Sequence, residues 1–212
     1  KEEILIDGDI REQINAGAIP VFFKKLDSKV DPITNKTTLL KNKTEGWLCT
    51  VKDSLVVSIK CYELSMDKLV SSGRIRDDSE IYVDDAVEIF LSMGPEENPT
   101  YYHIVVNAHG SIYDSYDGNI NWSGSNIKAA VVRKETFWEL EVQIPFEDLG
   151  LEKVKASMGQ SWRFNLVRHR PIHQPGEELE ESAWSPTNSV KSHVPSRFGH
   201  MFLDVMNASP KK

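Results

Sequence analysis

Two neighbouring segments decide the fold, Ile81–Met93 (IYVDDAVEIFLSM) and Tyr101–Asp114 (YYHIVVNAHGSIYD). Apolar and polar side chains alternate in each, which is the period of a half-buried strand. The apolar rows are Ile81, Val83, Val87, Ile89 and Leu91 in the first segment and Tyr102, Ile104 and Val106 in the second. The connection Gly94–Thr100 contains Gly and Pro, so the pair is predicted to form two strands joined by a loop.

The polar rows of these segments carry an unusual set of side chains. They hold Tyr82, Asp84 and Glu88 in the first segment and Tyr101, His103 and Asn107 in the second. A solvated sheet face more often shows Lys, Glu and Thr. Aromatic rings beside carboxylates and amides are instead the groups that a sugar-binding surface uses, because they stack on sugar rings and pair with hydroxyls.

Length and composition limit the alternatives. The chain has 212 residues, of which 40% are hydrophobic, enough to bury the core of a single domain. No stretch approaches the roughly 18 apolar residues of a membrane span. The net charge of −7 and the lack of a basic cluster argue against nucleic acid as a partner. No signal peptide is evident, and the start at Lys1 without Met indicates a mature or trimmed chain.

Further strand patterns follow one another along the chain. They are Thr37–Leu48, Leu55–Tyr62, Ile127–Val132, Phe137–Ile144, Ser161–Arg168 and Phe198–Val205. Helical periodicity is confined to short turns at Ile10–Ala18, Met66–Ser72 and Phe146–Leu151. We therefore predict an all-β fold, a single β-sandwich of two mainly antiparallel sheets with short helical turns, over residues 1–206. Residues 207–212 are predicted to be a disordered tail. The predicted core contains Val87, Ile89, Ile104, Trp138, Leu140, Trp162 and Phe164.

Both cysteines lie in one predicted hairpin. If its turn is at Asp53-Ser54, Cys49 lies opposite Ser58, and Cys61 lies about three residues further along on the other face. A disulfide requires a Cα separation of about 4.4–6.8 Å, so we predict two free, buried thiols.

Several motifs together resemble the family 9 carbohydrate-binding modules. They are DDAVEIFL, YYHIVVNAHGSIYD, WELEVQIPFEDLGL, GQSWRFNLVRHRP, ESAWSP and HVPSRFGHMFL, in the order expected of that family, from roughly Thr37 to Leu203. The resemblance implies a β-sandwich that binds sugars without cleaving them, clamped between two aromatic side chains over polar groups. It also implies bound calcium in some members, an extracellular or periplasmic location and tethering to a glycanase domain.

The resemblance assigns ligand-binding roles residue by residue. Glu88 matches the carboxylate that binds sugar hydroxyls, and Trp184 matches the loop aromatic of the clamp. Tyr82 stands where the family has a Trp, six residues before Glu88. Asn107 matches a polar contact, and Arg168 and Arg170 lie where an Arg reaches adjacent hydroxyls. Trp184 belongs to the long irregular segment Pro171–Ser196, where it is either a stacking platform or a plug over one end of the sandwich.

Other acidic residues suggest a metal. Asp7, Asp9 and Asp85 are candidate oxygen ligands of a structural calcium ion, without EF-hand spacing. Asp85 falls on the apolar face and therefore needs a partner, either a buried ion or an Arg. Glu139 and Glu141 are predicted to belong to an ordinary solvated row.

The alternatives to a binding module are a glycoside hydrolase, or an accessory domain of one, and a small-ligand or haem-binding sandwich. A hydrolase needs two carboxylates about 5–9 Å apart, whereas Asp84 and Glu88 on one strand face are about 13 Å apart. A haem site would need a Met or His pair, for which His103 is a candidate.

Overall fold

A computed structural model of the protein describes residues 5–27, 39–93, 99–151 and 161–202. Its regular elements are α1 (Arg11–Asn15), β1 (Ile19–Phe22), β2 (Lys24–Lys25), β3 (Thr44–Val51), β4 (Ser54–Tyr62), β5 (Ala86–Ser92), β6 (Tyr102–Asn107), β7 (Ile112–Tyr116), β8 (Lys128–Arg133), β9 (Phe137–Pro145), β10 (Ser161–Arg170), β11 (Glu180–Ala183) and β12 (Gly199–Phe202). Short 3-10 helices lie at Met66–Lys68, Ser79–Val83 and Pro195–Arg197.

The strands form two antiparallel sheets packed against each other. The five-stranded sheet has the order β1-β3-β4-β9-β8, and the seven-stranded sheet contains β2-β11-β10-β5-β6-β7. The long strand β10 pairs with β12 along its first half and with β11 along its second half. The predicted all-β sandwich is therefore confirmed. None of the helices in the described part of the chain has the length and apolar character needed to cross a bilayer.

The hydrophobic core fills the space between the two sheets. Every predicted core residue is at most 1% exposed, namely Val87, Ile89, Ile104, Trp138, Leu140, Trp162 and Phe164. Each such side chain contributes about 1.5–3 kcal/mol when it is fully buried. We call the side of each sheet that faces this core its inner face and the opposite side its outer face.

The two opening segments do not form two continuous strands. Ser79–Val83 is a 3-10 helix, and the strand begins only at Ala86. The second segment is a hairpin of β6 and β7 rather than one strand. Val83 was predicted to lie in the apolar row, but it is 53% exposed because the 3-10 helix removes it from the strand alternation.

Several element boundaries also differ from the predictions. The short strands β1, β2 and β11 were not predicted, because two to four residues are too few to establish an alternation. The predicted helical turn at Phe146–Leu151 consists of hydrogen-bonded turns. The predicted tail 207–212 and the last residues of the final predicted strand lie outside the described residues.

The cysteines lie on opposite faces of the β3-β4 hairpin, as predicted, and both are free. Cys61 is fully buried on the inner face, whereas Cys49 is only half-buried on the outer face. The tight turn lies at Lys52-Asp53, so Cys49 pairs with Val56 rather than with Ser58, and Cys61 pairs with Thr44.

An N-terminal segment covers the outer face of the five-stranded sheet, and Glu141 attaches it there. Glu141 Oε2 accepts the backbone N–H groups of Asp7 at 2.9 Å and Gly8 at 2.7 Å, and the side chain of Gln13 also bonds to this carboxyl group. Gly8 has a φ of +91° and lies so close to β8 that a Cβ would come within 2.7 Å of Val132 Cγ2. Only glycine satisfies both constraints.

The prediction that Glu139 and Glu141 belong to a solvated row is wrong. Glu141 is fully buried, and Glu139 is 9% exposed and pairs with Lys60 at 3.2 Å. Sequence alternation correctly placed both on the outer face. It could not show that a distant segment of the chain covers that face.

We expect Glu141 to make stability depend on pH. Burial raises the pKa of Glu141 from 4.5 to about 7, despite the opposing hydrogen bonds from Gly8 and Asp7. Between these two values the folded state holds a proton that the unfolded state has released, so stability falls as the pH rises through this range. This proton should change the free energy of unfolding by about 1–3 kcal/mol across this pH range, and Glu141→Gln should remove that change. Urea unfolding at pH 5 and pH 8 measures it.

The control for this experiment is Glu135→Gln, because Glu135 is an exposed carboxylate close to the same strand. That substitution should leave the pH dependence of unfolding as it is in the unmodified protein. Equal slopes for the unmodified protein and Glu141→Gln would contradict the assignment.

Candidate functional site

The outer face of the seven-stranded sheet is buried rather than solvated. Strand alternation places Glu88 and Phe90 of β5 on this face beside Val105 and His103 of β6, their cross-strand partners. Glu88 is only 6% exposed and His103 only 2%. The polar row predicted from the sequence therefore lies on the predicted face, but other parts of the chain cover it.

The 3-10 helix Ser79–Val83 provides one part of this cover. Its Ile81 is 1% exposed and packs with Ala86, Val105 and Tyr113 on the outer face. This contact places Tyr82 at the edge of the face, where the tyrosine remains 40% exposed. Tyr82 is thus held beside the sheet with part of its ring open to solvent.

The loop between β11 and β12 provides the other part. Asn165 of β10 anchors it from the outer face: its Nδ2 donates to Ser185 O, and its Oδ1 accepts Ser185 N–H, both at 2.9 Å. Further along the loop, Asn188 N–H donates to Leu26 O at 3.1 Å. These bonds fold the loop across the sheet and bring His193 over Phe90 and His103.

Glu88, His103 and His193 form a compact group that we call the outer-face cluster. His103 Nε2 lies 2.8 Å from Glu88 Oε2, within hydrogen-bonding distance, and His193 Nε2 lies 3.8 Å from the same oxygen. The hydroxyl of Ser192 lies 3.5 Å from that oxygen. Among the described residues, Glu88 Oε1 has no such contact, so this oxygen keeps its capacity to accept hydrogen bonds.

The electrostatics keep the carboxyl group of Glu88 ionised. Burial by itself raises its pKa, but the hydrogen bond from His103 and the nearby His103 and His193 rings outweigh burial and bring the pKa below its ordinary value. Burial and the neighbouring His103 lower the pKa of His193. At neutral pH the site therefore presents an anionic acceptor beside a neutral imidazole.

Aromatic rings surround the outer-face cluster. His103 stacks on Phe90 with ring centroids 4.5 Å apart, and Tyr82 stacks on His103 at 6.2 Å. Tyr113 meets Tyr82 edge-on at 5.4 Å, and Tyr101 meets Phe90 in the same way at 5.9 Å. The result is a ring-lined surface with one ionised carboxyl group in its floor, suited to a ligand with both apolar and hydroxyl-bearing faces.

Two of the six residues predicted to bind a ligand meet at this site, namely Tyr82 and Glu88. Asn107 lies on the same outer face, but it is fully buried. Its Nδ2 donates to Asp84 Oδ2 at 2.7 Å and to Ser72 O at 2.9 Å, and its Oδ1 accepts two backbone N–H groups. The side chain is therefore occupied with holding the neighbouring turns.

The two predicted arginines lie on the inner face instead. The alternation of β10 continues through Arg170, so Arg168 and Arg170 follow Leu166 into the space between the sheets. There both bond to the buried carboxylate of Glu63, Arg168 at 3.1 Å and Arg170 at 2.8 Å. We call this group, together with Asp85 and His173, the interior network.

Trp184 also lies on the inner side of the seven-stranded sheet. Its ring lies 5.6 Å from that of Phe164, and a Cβ on Gly199 would come within 2.6 Å of it. The geometry matches the alternative in which Trp184 covers one end of the sandwich, and the ring points away from Glu88.

The three candidate calcium ligands do not come together. Asp85 lies on the inner face, where Oδ2 bonds to His173 Nε2 at 2.7 Å. His173 is therefore the partner of the buried Asp85 carboxyl group, in place of the ion or arginine that was predicted. Asp7 and Asp9 lie beyond the outer face of the five-stranded sheet, and the carboxylate of Asp9 pairs with Arg11. This arrangement does not fit one calcium ion held by all three carboxylates, and calcium binding stays a prediction.

The sequence indicated His103 only as a candidate haem ligand and did not indicate His193 as a site residue. His103 had been placed in the correct polar row, and its pairing with Glu88 follows from the register of β5 and β6. Nothing local in the sequence indicates His193, because its position depends on how the loop returns over the sheet.

Comparisons with known proteins bear on the fold of this chain. No protein-family model matches the sequence, and no curated protein does. Among solved structures, a candidate carbohydrate-binding protein from Bacteroides uniformis is similar, with 17% identity, 92% of this chain and 91% of that chain covered, and a TM-score of 0.64.

Two structures of a family 9 carbohydrate-binding module from Caldicellulosiruptor kristjanssonii are also similar, each at 15% identity over 96% of this chain. The complex with cellotriose is covered over 90% with a TM-score of 0.57. The complex with glucose is covered over 92% with a TM-score of 0.58. The chain therefore has the fold of the family 9 carbohydrate-binding modules.

Proposed function

We propose that this protein binds carbohydrate without cleaving it, at the ring-lined outer face of the seven-stranded sheet. The observation that carries the proposal is the position of the Glu88 carboxyl group, held by His103 in the floor of that face beside the partly exposed ring of Tyr82. Modules with the same fold have been solved with cellotriose and with glucose, which supports a sugar as the ligand.

The side chains divide the work of binding in this proposal. Tyr82 offers its exposed ring face to the C–H groups of a pyranose, a contact that removes apolar area from water without desolvating a charge. Glu88 accepts hydrogen bonds from sugar hydroxyls, each worth about 1.5–3 kcal/mol to a charged acceptor. His193 borders the same surface with a side chain that is 45% exposed. Trp184, Arg168 and Arg170 have no part in this site.

The ligand proposed is a plant-type β-glycan or its chain ends. The exposed ring face of Tyr82 beside the buried acceptor Glu88 suits the terminal sugar of a polysaccharide better than the interior of a long polysaccharide chain. An extracellular or periplasmic location and attachment to a glycanase domain remain predictions that follow from the same proposal.

Substitution of Glu88 and Tyr82 tests the proposal. Glu88→Gln and Tyr82→Ala should each weaken binding by about tenfold or more, because one removes a charged acceptor and the other the stacking surface. Isothermal titration calorimetry against mono-, oligo- and polysaccharides measures the affinities. An assay for released reducing sugar, run on the same glycans, checks that the protein does not cleave them.

Matched controls are available for both substitutions. Val83→Ala changes an exposed residue of the same 3-10 helix, and Glu181→Gln changes the carboxylate of another His–Glu pair on the sheet. Both should bind sugar as the unmodified protein does. If no sugar in the panel binds the unmodified protein, the proposed function fails, whereas unchanged affinity in Glu88→Gln would overturn the site.

A further inference from the structure

The outer-face cluster brings three metal-ligating side chains together from three separate elements. Glu88 comes from β5, His103 from β6 and His193 from the loop between β11 and β12. One ligand atom of each lies within 4.8 Å of the other two. Two imidazole nitrogens therefore converge on one carboxylate oxygen, at 2.8 Å and 3.8 Å.

Neighbouring side chains fix the direction in which both imidazoles point. The hydroxyl of Tyr101 lies 2.9 Å from His193 Nδ1, which turns Nε2 of that ring towards Glu88. The ring of His103 packs parallel to Phe90, with an interplanar angle of 4°. Metal-binding histidines characteristically have their second nitrogen held by a hydrogen bond like the one between Tyr101 and His193, since it sets the tautomer and the orientation of the ring.

We infer that the outer-face cluster binds a divalent transition-metal ion, of which Zn²⁺ is the best match. Two imidazoles and one carboxylate are the protein ligands of an open zinc site, with the fourth position left to water or another ligand. The same set disfavours calcium, which requires more ligands, all of them oxygen. Imidazole ligands also suit Co²⁺, Ni²⁺ and Cu²⁺.

The cluster needs only a small adjustment to reach bonding distance. Two ligand atoms bound to one tetrahedral zinc ion at about 2.0–2.2 Å each lie about 3.3–3.6 Å from one another. The 2.8 Å between His103 Nε2 and Glu88 Oε2 therefore has to lengthen, and the 3.8 Å between Glu88 Oε2 and His193 Nε2 has to shorten, which requires a small movement of His193. It lies on a loop with its side chain 45% exposed, which gives it this freedom and gives the ion a path of entry. His103 exchanges its hydrogen bond to Glu88 for a bond to the metal, and the proton between them moves to Nδ1 or to solvent.

The interior network shows what a similar group looks like when it is not available to a metal. Glu63, Asp85 and His173 also place one ligand atom each within 4.8 Å of the others. The guanidinium groups of Arg168 and Arg170 already bond to Glu63, however, so positive charge and hydrogen bonds occupy that carboxylate. No arginine is bonded to Glu88 among the described residues, and this difference separates the two groups.

Titration of the metal-free protein with zinc chloride or cobalt chloride, in the absence of any carbohydrate, tests the inference. We expect one ion to bind per chain, Co²⁺ to develop visible absorption bands of low coordination number, and the melting temperature to rise. Calcium chloride should have no such effect. Because no sugar is present, this outcome is independent of the proposed function.

His193→Ala is the decisive variant, since a partly exposed loop residue can be removed without loss of the fold. It should weaken zinc binding by about a hundredfold while leaving the melting temperature of the metal-free protein unchanged, and Tyr101→Phe should weaken it by about tenfold. His200→Ala is the matched control, because His200 is exposed and bonds through Nδ1 to a hydroxyl, that of Ser161. Failure of the unmodified protein to bind zinc, or undiminished binding by His193→Ala, would overturn the inference.

Discussion

Glu63→Gln is expected to lower the free energy of unfolding by about 3–5 kcal/mol, the largest effect of any single substitution considered for this protein. Glu63 follows the end of β4, and its carboxylate is fully buried between the sheets. It accepts hydrogen bonds from Arg168 and Arg170 of β10 and from the backbone N–H of Ser65. The carboxylate thus links the five-stranded sheet to the seven-stranded one.

The size of the effect comes from the charges that would be left behind. Burial raises the pKa of Glu63, but the hydrogen bond from Arg170 and the backbone bond from Ser65 more than offset it, so the group is ionised in the folded state. Replacing it with an amide leaves two buried guanidinium groups without their shared anion. An uncompensated buried charge is far more destabilising than the loss of an exposed ion pair.

Urea unfolding followed by fluorescence measures the effect, and Glu45→Gln is the matched control. Glu45 pairs with Lys43, whose side chain is 62% exposed, so its substitution should change stability by at most about 1 kcal/mol. A similar small change for both variants would mean that the interior network contributes no more than a surface pair.

Trp184→Ala is expected to destabilise the fold by about 2–4 kcal/mol while leaving sugar affinity intact. The ring packs beside Phe164 on the inner side of the seven-stranded sheet and closes over Gly199. Removing it opens a cavity at one end of the core. The site at Glu88 lies on the other side of that sheet, so its affinity for sugar should not change.

Tyr82→Ala provides the reciprocal comparison. Because Tyr82 is 40% exposed, its loss should affect stability much less than sugar binding.

Gly199→Ala tests the Trp184 contact from its other side, since the added Cβ would come within 2.6 Å of the indole and should lower stability by about 1–3 kcal/mol. Thermal unfolding and calorimetry on all three variants would separate a contribution to stability from a contribution to sugar binding. Loss of sugar binding in Trp184→Ala, with stability unchanged, would restore the indole as the stacking platform.

The side chains assigned by the family resemblance lie on both sides of the seven-stranded sheet. Glu88 lies on the predicted outer face and Tyr82 at its edge, because the β5 register and the short helix before it place them there, and their ligand-binding roles stay predictions. Trp184 and the two arginines match the motifs in sequence order, yet their side chains point to the opposite side of the sheet. A match of order along the chain does not determine the direction of a side chain.

By itself the sequence determined the class of fold and most of its core. Alternation is a local property of an extended chain, so it correctly separated Trp138 and Leu140 from Glu139 and Glu141 and placed Cys49 and Cys61 on opposite faces. The same property put Glu88 and His103 on one outer face. These assignments require only a knowledge of which residues form strands.

Tertiary structure alone decided which outer faces are covered and which side chains meet across them. The position of His193 depends on Asn165 and Leu26, which anchor its loop from 28 and 167 residues away in the sequence. The burial of Glu141 likewise depends on a segment that starts more than a hundred residues earlier. Such contacts arise when distant parts of the chain pack and satisfy each other's hydrogen bonds, and no local pattern records them.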